Sequence, residues 1–396
     1  MPSFEAMRFS SLVDRISRDG ADAWVTHYHA LAARGRGEDV ILLSVGDPDL
    51  EPPAAVIERV IEGLRGGDIH YTPASGRPAL LEAIARAHTA RTGQPVSGEN
   101  VVYLAGVQNA LFVASMCVAG PGDEVITFDP MYATYPATIE VSGARMVRAA
   151  TGAGFRPDIG ELESRITTRT RAIFWATPAN PSGVIINQDE LSAIARLARR
   201  HDLWLISDEV YAGLAPGGRI PSLAATLPER VVTLSSLSKS HGLPGLRAGW
   251  LIGPRELTAH AQALVMCMLF GLPGFIQEAV ITALTIAPQA EQRIREFCAS
   301  QRARMLAGLE GIAGLRPTVP DAGMFMLVDV SDTGLSGAQF MRALYERERV
   351  SVMDGAAFGQ RTSRFVRICF ATEDATIDRA CARIRRFCEQ ALAHRA

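Results

Sequence analysis

VVTLSSLSKSHGLPGLRAGWLIG, residues 231–253, holds two apolar segments joined by a turn. VVTLSS (231–236) and AGWLIG (248–253) read as strands buried on both faces, and Gly242, Pro244 and Gly245 turn the chain between them. Lys239 lies at the start of that turn. A lysine that serves as an amine nucleophile near neutral pH needs a desolvated pocket to lower its pKa. Ser236, Ser238 and Arg247 all fall within eight residues of it. A hydroxyl donates one hydrogen bond and a guanidinium clamps two oxygens, so the group suits a phosphate ester. An amine beside an anion cradle is what pyridoxal 5'-phosphate requires. A Lys–Arg pair among serines is also the composition of a solvated loop, so the other motifs must decide.

Working outward, five further segments carry the same both-faced apolar character: VVYLA (101–105), EVITF (124–128), ARMVRA (144–149), AIFWAT (172–177) and LWLIS (203–207). Helical patterns at 109–118, 133–141 and 188–200 separate them. Strands apolar on both faces and joined by crossover helices predict an α/β fold with a mostly parallel seven-stranded sheet covered by helices. Upstream, 40–45 reads as a strand running into the turn Gly46-Asp47-Pro48-Asp49, with helices at 54–64 and 78–91. Downstream, helices to about residue 311 give way to strand 324–330, helix 337–347, strand 365–370 and a closing helix 375–393. This predicts a smaller α+β domain built from both chain ends: residues 1–50 as an N-terminal arm and part of the small domain, 51–290 as the large domain, and 291–396 as the rest of the small one.

The balance of 40 basic and 42 acidic residues leaves no electrostatic footprint for nucleic acid or an anionic membrane. The longest apolar run, 264–272, stops at Pro273 and is too short to span a bilayer, and the charged first residues do not read as a signal peptide. Six scattered cysteines without metal spacing suit a reducing cytoplasm. Trp24, Val25, Tyr28 and Leu31 recur at helical spacing, and His27 and His29 beside them do not make a metal pair.

Ser236, Ser238, Lys239, Gly242, Leu243, Gly245, Arg247 and Gly249 together resemble the Schiff-base segment of the fold-type I, class I and II aminotransferases, which use pyridoxal phosphate. The other motifs follow the family's order along the chain. Gly106-Val107-Gln108 opens a helix after a strand, where free N–H groups and the positive dipole end suit a phosphate, and it matches the family's phosphate turn. Tyr132 stands where the family places the ring that stacks on the cofactor, with Tyr135 as the alternative stacker. Asn180, in TPANPSG, matches the asparagine on the cofactor's phenolic oxygen, with Thr177 in place of the family's first asparagine. Asp208 ends a buried strand and needs a cation there, for which the resemblance implies the protonated ring nitrogen. Tyr211 is implied on the same phenolic oxygen as Asn180. Arg367, inside an apolar strand, wants a planar bidentate anion, and the resemblance implies the substrate α-carboxylate, with Gly46 in the facing turn. Tyr71 aligns with a tyrosine that reaches the neighbouring subunit's phosphate, which implies a homodimer with shared active sites.

The resemblance implies ping-pong transfer of an amino group from an L-amino acid to a 2-oxo acid, with Lys239 as general base. The stretches 19–32, 267–277 and 334–340 resemble bacterial arginine–pyruvate aminotransferases, implying arginine as donor and pyruvate as acceptor. Lyase, racemase and amino acid oxidase or hydroxylase chemistry use much the same residues and stay open at this point. A pyridoxal-phosphate-sensing regulatory module would need a DNA-binding segment that the short N-terminus does not hold.

Overall fold

The computed structural model describes residues 8–16 and 24–393. The strands are β1 Ile41–Leu42, β2 Val101–Leu104, β3 Glu124–Asp129, β4 Arg145–Ala150, β5 Thr170–Ala176, β6 Trp204–Asp208, β7 Val231–Ser236, β8 Gly249–Ile252, β9 Arg316–Pro317, β10 Phe325–Asp329, β11 Val350–Ser351, β12 Met353–Asp354 and β13 Phe365–Cys369. The seven segments read as both-faced strands form one sheet in the order β2-β8-β7-β6-β5-β3-β4. Neighbours from β7 to β4 run parallel, and β8 alone is antiparallel to both β2 and β7. Alternate residues serve opposite faces. Phe174 and Ile206 pack into the core on one side of the sheet, and Ile173, Trp175 and Leu205 into the core on the other. Each such fully buried side chain is worth about 1.5–3 kcal/mol, which makes this sheet the centre of the molecule.

The helices are α1 Ser11–Ile16, α2 Val25–Gly35, α3 Ala54–Arg65, α4 Pro78–Thr92, α5 Val107–Val118, α6 Tyr135–Glu140, α7 Ile159–Ser164, α8 Gln188–His201, α9 Leu237–Ser240, α10 Arg255–Met268, α11 Gly274–Thr285, α12 Ala287–Leu309, α13 Gly337–Glu348 and α14 Asp374–Ala393. Local chemistry sets several of the starts. Asn187 caps α8 reciprocally with Glu190, and Ser336 caps α13 with Gln339. α6 is shorter than the expected 133–141, beginning only at Tyr135 with Pro136 in its first turn.

A second sheet, β12-β13-β10-β9, is antiparallel throughout, and β1 pairs with β11 as a short parallel ladder. Its core joins Met326, Phe340, Ile368 and Phe387 to Ile41 and Leu43 from the start of the chain. The expected division at 290/291 falls inside α12, which runs unbroken through it. The strand expected over 40–45 is only two residues long, because beyond Leu43 the chain bonds to side chains of the site instead of a neighbouring strand. In α2 the apolar stripe points outward: Val25, Tyr28 and Leu31 are exposed, while the small residues Ala30 and Ala33 are buried. Small residues let the helix lie close to the protein and leave the large ones for another surface.

Candidate active site

The site lies where loops leave the carboxyl ends of the parallel strands, the usual location in open α/β sheets. Lys239 is carried by α9, a single turn directly after β7, and Ser236 caps that turn by accepting from the Ser238 N–H at 3.3 Å. Lys239 Nζ donates to the Gly46 carbonyl at 2.5 Å, joining the sheet's edge to the turn after β1. Burial, and after it the positive charges of Arg367 and Arg247, pull the amine's pKa down, against the opposing pull of Cys369 and Asp47.

Asp208 ends β6 with almost no exposure. Its carboxylate accepts from the Val210 N–H at 3.2 Å and from the Tyr135 hydroxyl at 3.3 Å, and among the described residues it has no cation beside it. Burial pushes the carboxyl up to about 7. Tyr135, the alternative stacker, is thus fully buried and engaged with Asp208, and is not free to stack. Tyr132 packs edge-on against Tyr135 at 5.8 Å between centroids. Tyr132, Tyr135 and Asn180 line one recess.

Asn180, Tyr211 and Arg367 form a chain. Arg367 Nη1 donates to Asn180 Oδ1 at 2.9 Å, and Asn180 Nδ2 donates to the Tyr211 hydroxyl at 3.5 Å. Arg367 Nη2 donates to the Ser44 carbonyl at 2.5 Å, and the guanidinium lies between the rings of Phe325 and Phe358, 4.0 and 4.7 Å from its carbon. Its Nε is buried and has no partner among the described residues. A buried cationic donor left unsatisfied is costly, so the position calls for an acceptor from outside the chain. Phe325, Phe358 and Ser44 were not singled out from the sequence, because they touch Arg367 only through tertiary packing. In the turn around Asn180, the Thr177 hydroxyl accepts from the Ile186 N–H at 3.2 Å, so this departure from the family pattern still holds the turn.

Gly106, Val107 and Gln108 stand at the start of α5 as expected. Gly106 has φ +84°, and a Cβ there would lie 2.3 Å from Arg247 Nη2. A Cβ on Gly249 would lie 2.5 Å from the Gly106 carbonyl carbon, so the two backbones are in close approach. Arg247 bonds the Pro244 and Ala105 carbonyls at 2.7 and 3.2 Å, which sets its guanidinium beside the α5 N-terminus. The Gln108 side chain is engaged away from this end, with Thr134 and Thr138, both at 2.9 Å. Gly106→Ala is expected to cost about 1–3 kcal/mol, since only glycine adopts this backbone region without strain, and thermal melting of the variant checks it.

Tyr71 is not brought to the site within one chain. It is 87% exposed and packs edge-on against the exposed Phe270 at 5.0 Å. Ile69 and Met266 are also exposed.

The match to known proteins agrees with this geometry. Residues 38–384 match the family model of aminotransferase class I and II. The chain is 44% identical to the arginine–pyruvate transaminase of Pseudomonas aeruginosa, over 96% of this chain and 97% of that protein. It is 32% identical to the aspartate/prephenate aminotransferase of Thermus thermophilus, over 90% and 93%. The structure of Thermus thermophilus aspartate aminotransferase with maleate superposes with a TM-score of 0.91 at 29% identity, over 96% of this chain and 100% of that one. The chain belongs to the class I and II aminotransferases, enzymes that move an amino group from an amino acid to a 2-oxo acid.

Proposed function

We propose that the amino group travels on pyridoxal 5'-phosphate held by Lys239, with arginine as donor and pyruvate as acceptor. The observation that carries the cofactor reading is Asp208, a buried carboxylate with no cation beside it among the described residues, together with the glycine-lined cradle of Gly106, Arg247 and the α5 N–H groups. A cationic ring nitrogen completes the first, and a phosphate completes the second. The residues present therefore fit the group. Tyr132 would lie against the ring, Asn180 and Tyr211 would meet its phenolic oxygen, and Ser236, Ser238, Arg247 and the main-chain N–H groups of Val107 and Gln108 would surround its phosphate. When bound, the cofactor supplies an electron sink for the carbon that bears the amino group.

The chain's own part is to bind, orient and move protons. Arg367 holds the donor's α-carboxylate with the N–H that lacks a partner, and Phe325 and Phe358 fix the plane of the guanidinium. Gly46 allows close approach on the facing side, where any side chain would collide with Phe325. Lys239 Nζ, with its proton affinity lowered by burial and neighbouring cations, takes the proton from the carbon bearing the amino group. Asp208 would pair with the positive ring nitrogen of the bound cofactor. The same residues run in reverse on the acceptor.

The donor and acceptor rest on the likeness to the Pseudomonas transaminase. Rates of 2-oxo acid formation with arginine, aspartate and aromatic amino acids, each against pyruvate, test them. Arginine should lead in kcat/KM, and a lead by aspartate would overturn the donor assignment. The exposed aromatic pair of Tyr71 and Phe270, with Ile69 also exposed, supports a homodimer in which Tyr71 completes the partner's phosphate site. Six unpaired cysteines support a cytoplasmic location.

A further inference from the structure

We infer that His27 is a positioning residue for the donor's carboxylate subsite, acting through Ser44 on Arg367. The inference rests on the reading of Arg367 as the carboxylate anchor. Residues 44–46 form a strap between the two sheets' chemistry: the Ser44 carbonyl accepts from Arg367 Nη2, and the Gly46 carbonyl accepts from Lys239 Nζ, both at 2.5 Å. One short segment of main chain therefore sets the positions of the anchoring arginine and the lysine.

The strap is held by few bonds of its own. Upstream, Leu43 is tied by its N–H to the Ser351 carbonyl and by its carbonyl to the Cys369 N–H, each at 2.8 Å; downstream, the Asp49 N–H reaches the Ala371 carbonyl at 3.1 Å. Between these ties the side chain of Ser44, fully buried, anchors the segment. The Ser351 hydroxyl donates to Ser44 Oγ at 3.1 Å, and His27 Nδ1 lies 2.9 Å from the same oxygen. With its oxygen accepting from Ser351, Ser44 has its own O–H to donate to His27 Nδ1, which accepts in the neutral ring. Burial, and after it the cations Arg34 and Arg367, lowers the imidazole pKa and keeps that form.

α2 is itself seated on the walls of the subsite. Trp24, at its start, packs on Ala133, Met353 and Phe358 and edge-on against His27 at 5.9 Å. Phe358 flanks the Arg367 guanidinium, and the Met353 sulfur accepts from Arg367 Nη2 at 3.1 Å. The N-terminal helix thus touches the arginine's surroundings twice, once through an aromatic ring and once through the hydrogen bond to Ser44. Removing the imidazole frees Ser44 to turn, which loosens the carbonyl that orients Arg367.

The test uses the protein loaded with pyridoxal phosphate and two carboxylates that lack an amino group and so cannot react. These are propanoate and 5-guanidinopentanoate, and their binding is measured by titration calorimetry. His27→Ala should weaken both by the same factor, about three- to tenfold, the value of one hydrogen bond. His27→Asn, which places an amide oxygen near the position of Nδ1, should restore both. Unchanged binding in His27→Ala, or equal weakening in the two variants, would overturn the inference. If the unaltered protein binds propanoate and not 5-guanidinopentanoate, the arginine assignment falls, and the propanoate ratios alone still decide the role of His27.

Discussion

Lys239→Ala is expected to lower amino transfer at least about a thousandfold while leaving the melting profile close to that of the unaltered protein. The side chain is an amine placed by a rigid turn at the end of β7, and among the described residues it hydrogen-bonds only to the Gly46 carbonyl. Its loss therefore removes a nucleophile and a general base at once but little packing. Oxo acid release in a coupled assay, beside thermal melting, separates the two effects. Turnover within tenfold of the unaltered enzyme would remove Lys239 from the mechanism.

Asp208→Asn is the second large effect. The substitution keeps the shape and removes the charge that holds the ring nitrogen positive, so kcat should fall by about two to four orders of magnitude. It also carries a signature independent of turnover. In the cofactor-free protein, burial raises the carboxyl from its ordinary 3.8 to about 7. The folded state then binds a proton that the unfolded chain has released, so stability declines as pH rises from about 4 to about 7, by on the order of 4 kcal/mol. Melting across that window should show the decline in the unaltered apoprotein. It should shrink in Asp208→Asn to the part contributed by the buried Glu209, whose carboxyl burial also raises, and should be reduced on loading with pyridoxal phosphate, because a cation beside the carboxylate lowers its pKa again. An unchanged pH slope in the variant would show that Asp208 is not the titrating group.

Much of the architecture was legible in advance. Runs such as AIFWA (172–176) and LWLI (203–206) are apolar at every position, which suits strands covered on both faces, and all seven segments enter one sheet. The motif positions that converge lie at the ends of those strands: Asp208 ends β6, Ser236 ends β7, and Gly106 precedes α5. Other features depend on contacts between distant segments. The burial of Tyr135 against Asp208 joins residues 73 apart, and the grip of Ser44 on Arg367 joins residues 323 apart. Neither pair has a local pattern to announce it. The outward-facing stripe of α2 is a different case, because apolar periodicity reports that a face will be covered and not by what. Tyr71 is similar: its motif resemblance implies a phosphate contact, and within one chain the residue is left exposed.

Transfer of labelled nitrogen tests the central claim most directly. The protein, loaded with pyridoxal phosphate, is given arginine carrying ¹⁵N at its α-amino group, together with pyruvate. One ¹⁵N-alanine is expected for each 2-oxo acid released from arginine, with no free labelled ammonia. Labelled ammonia in place of labelled alanine would contradict it, since the amino group would then be lost to water instead of being passed on.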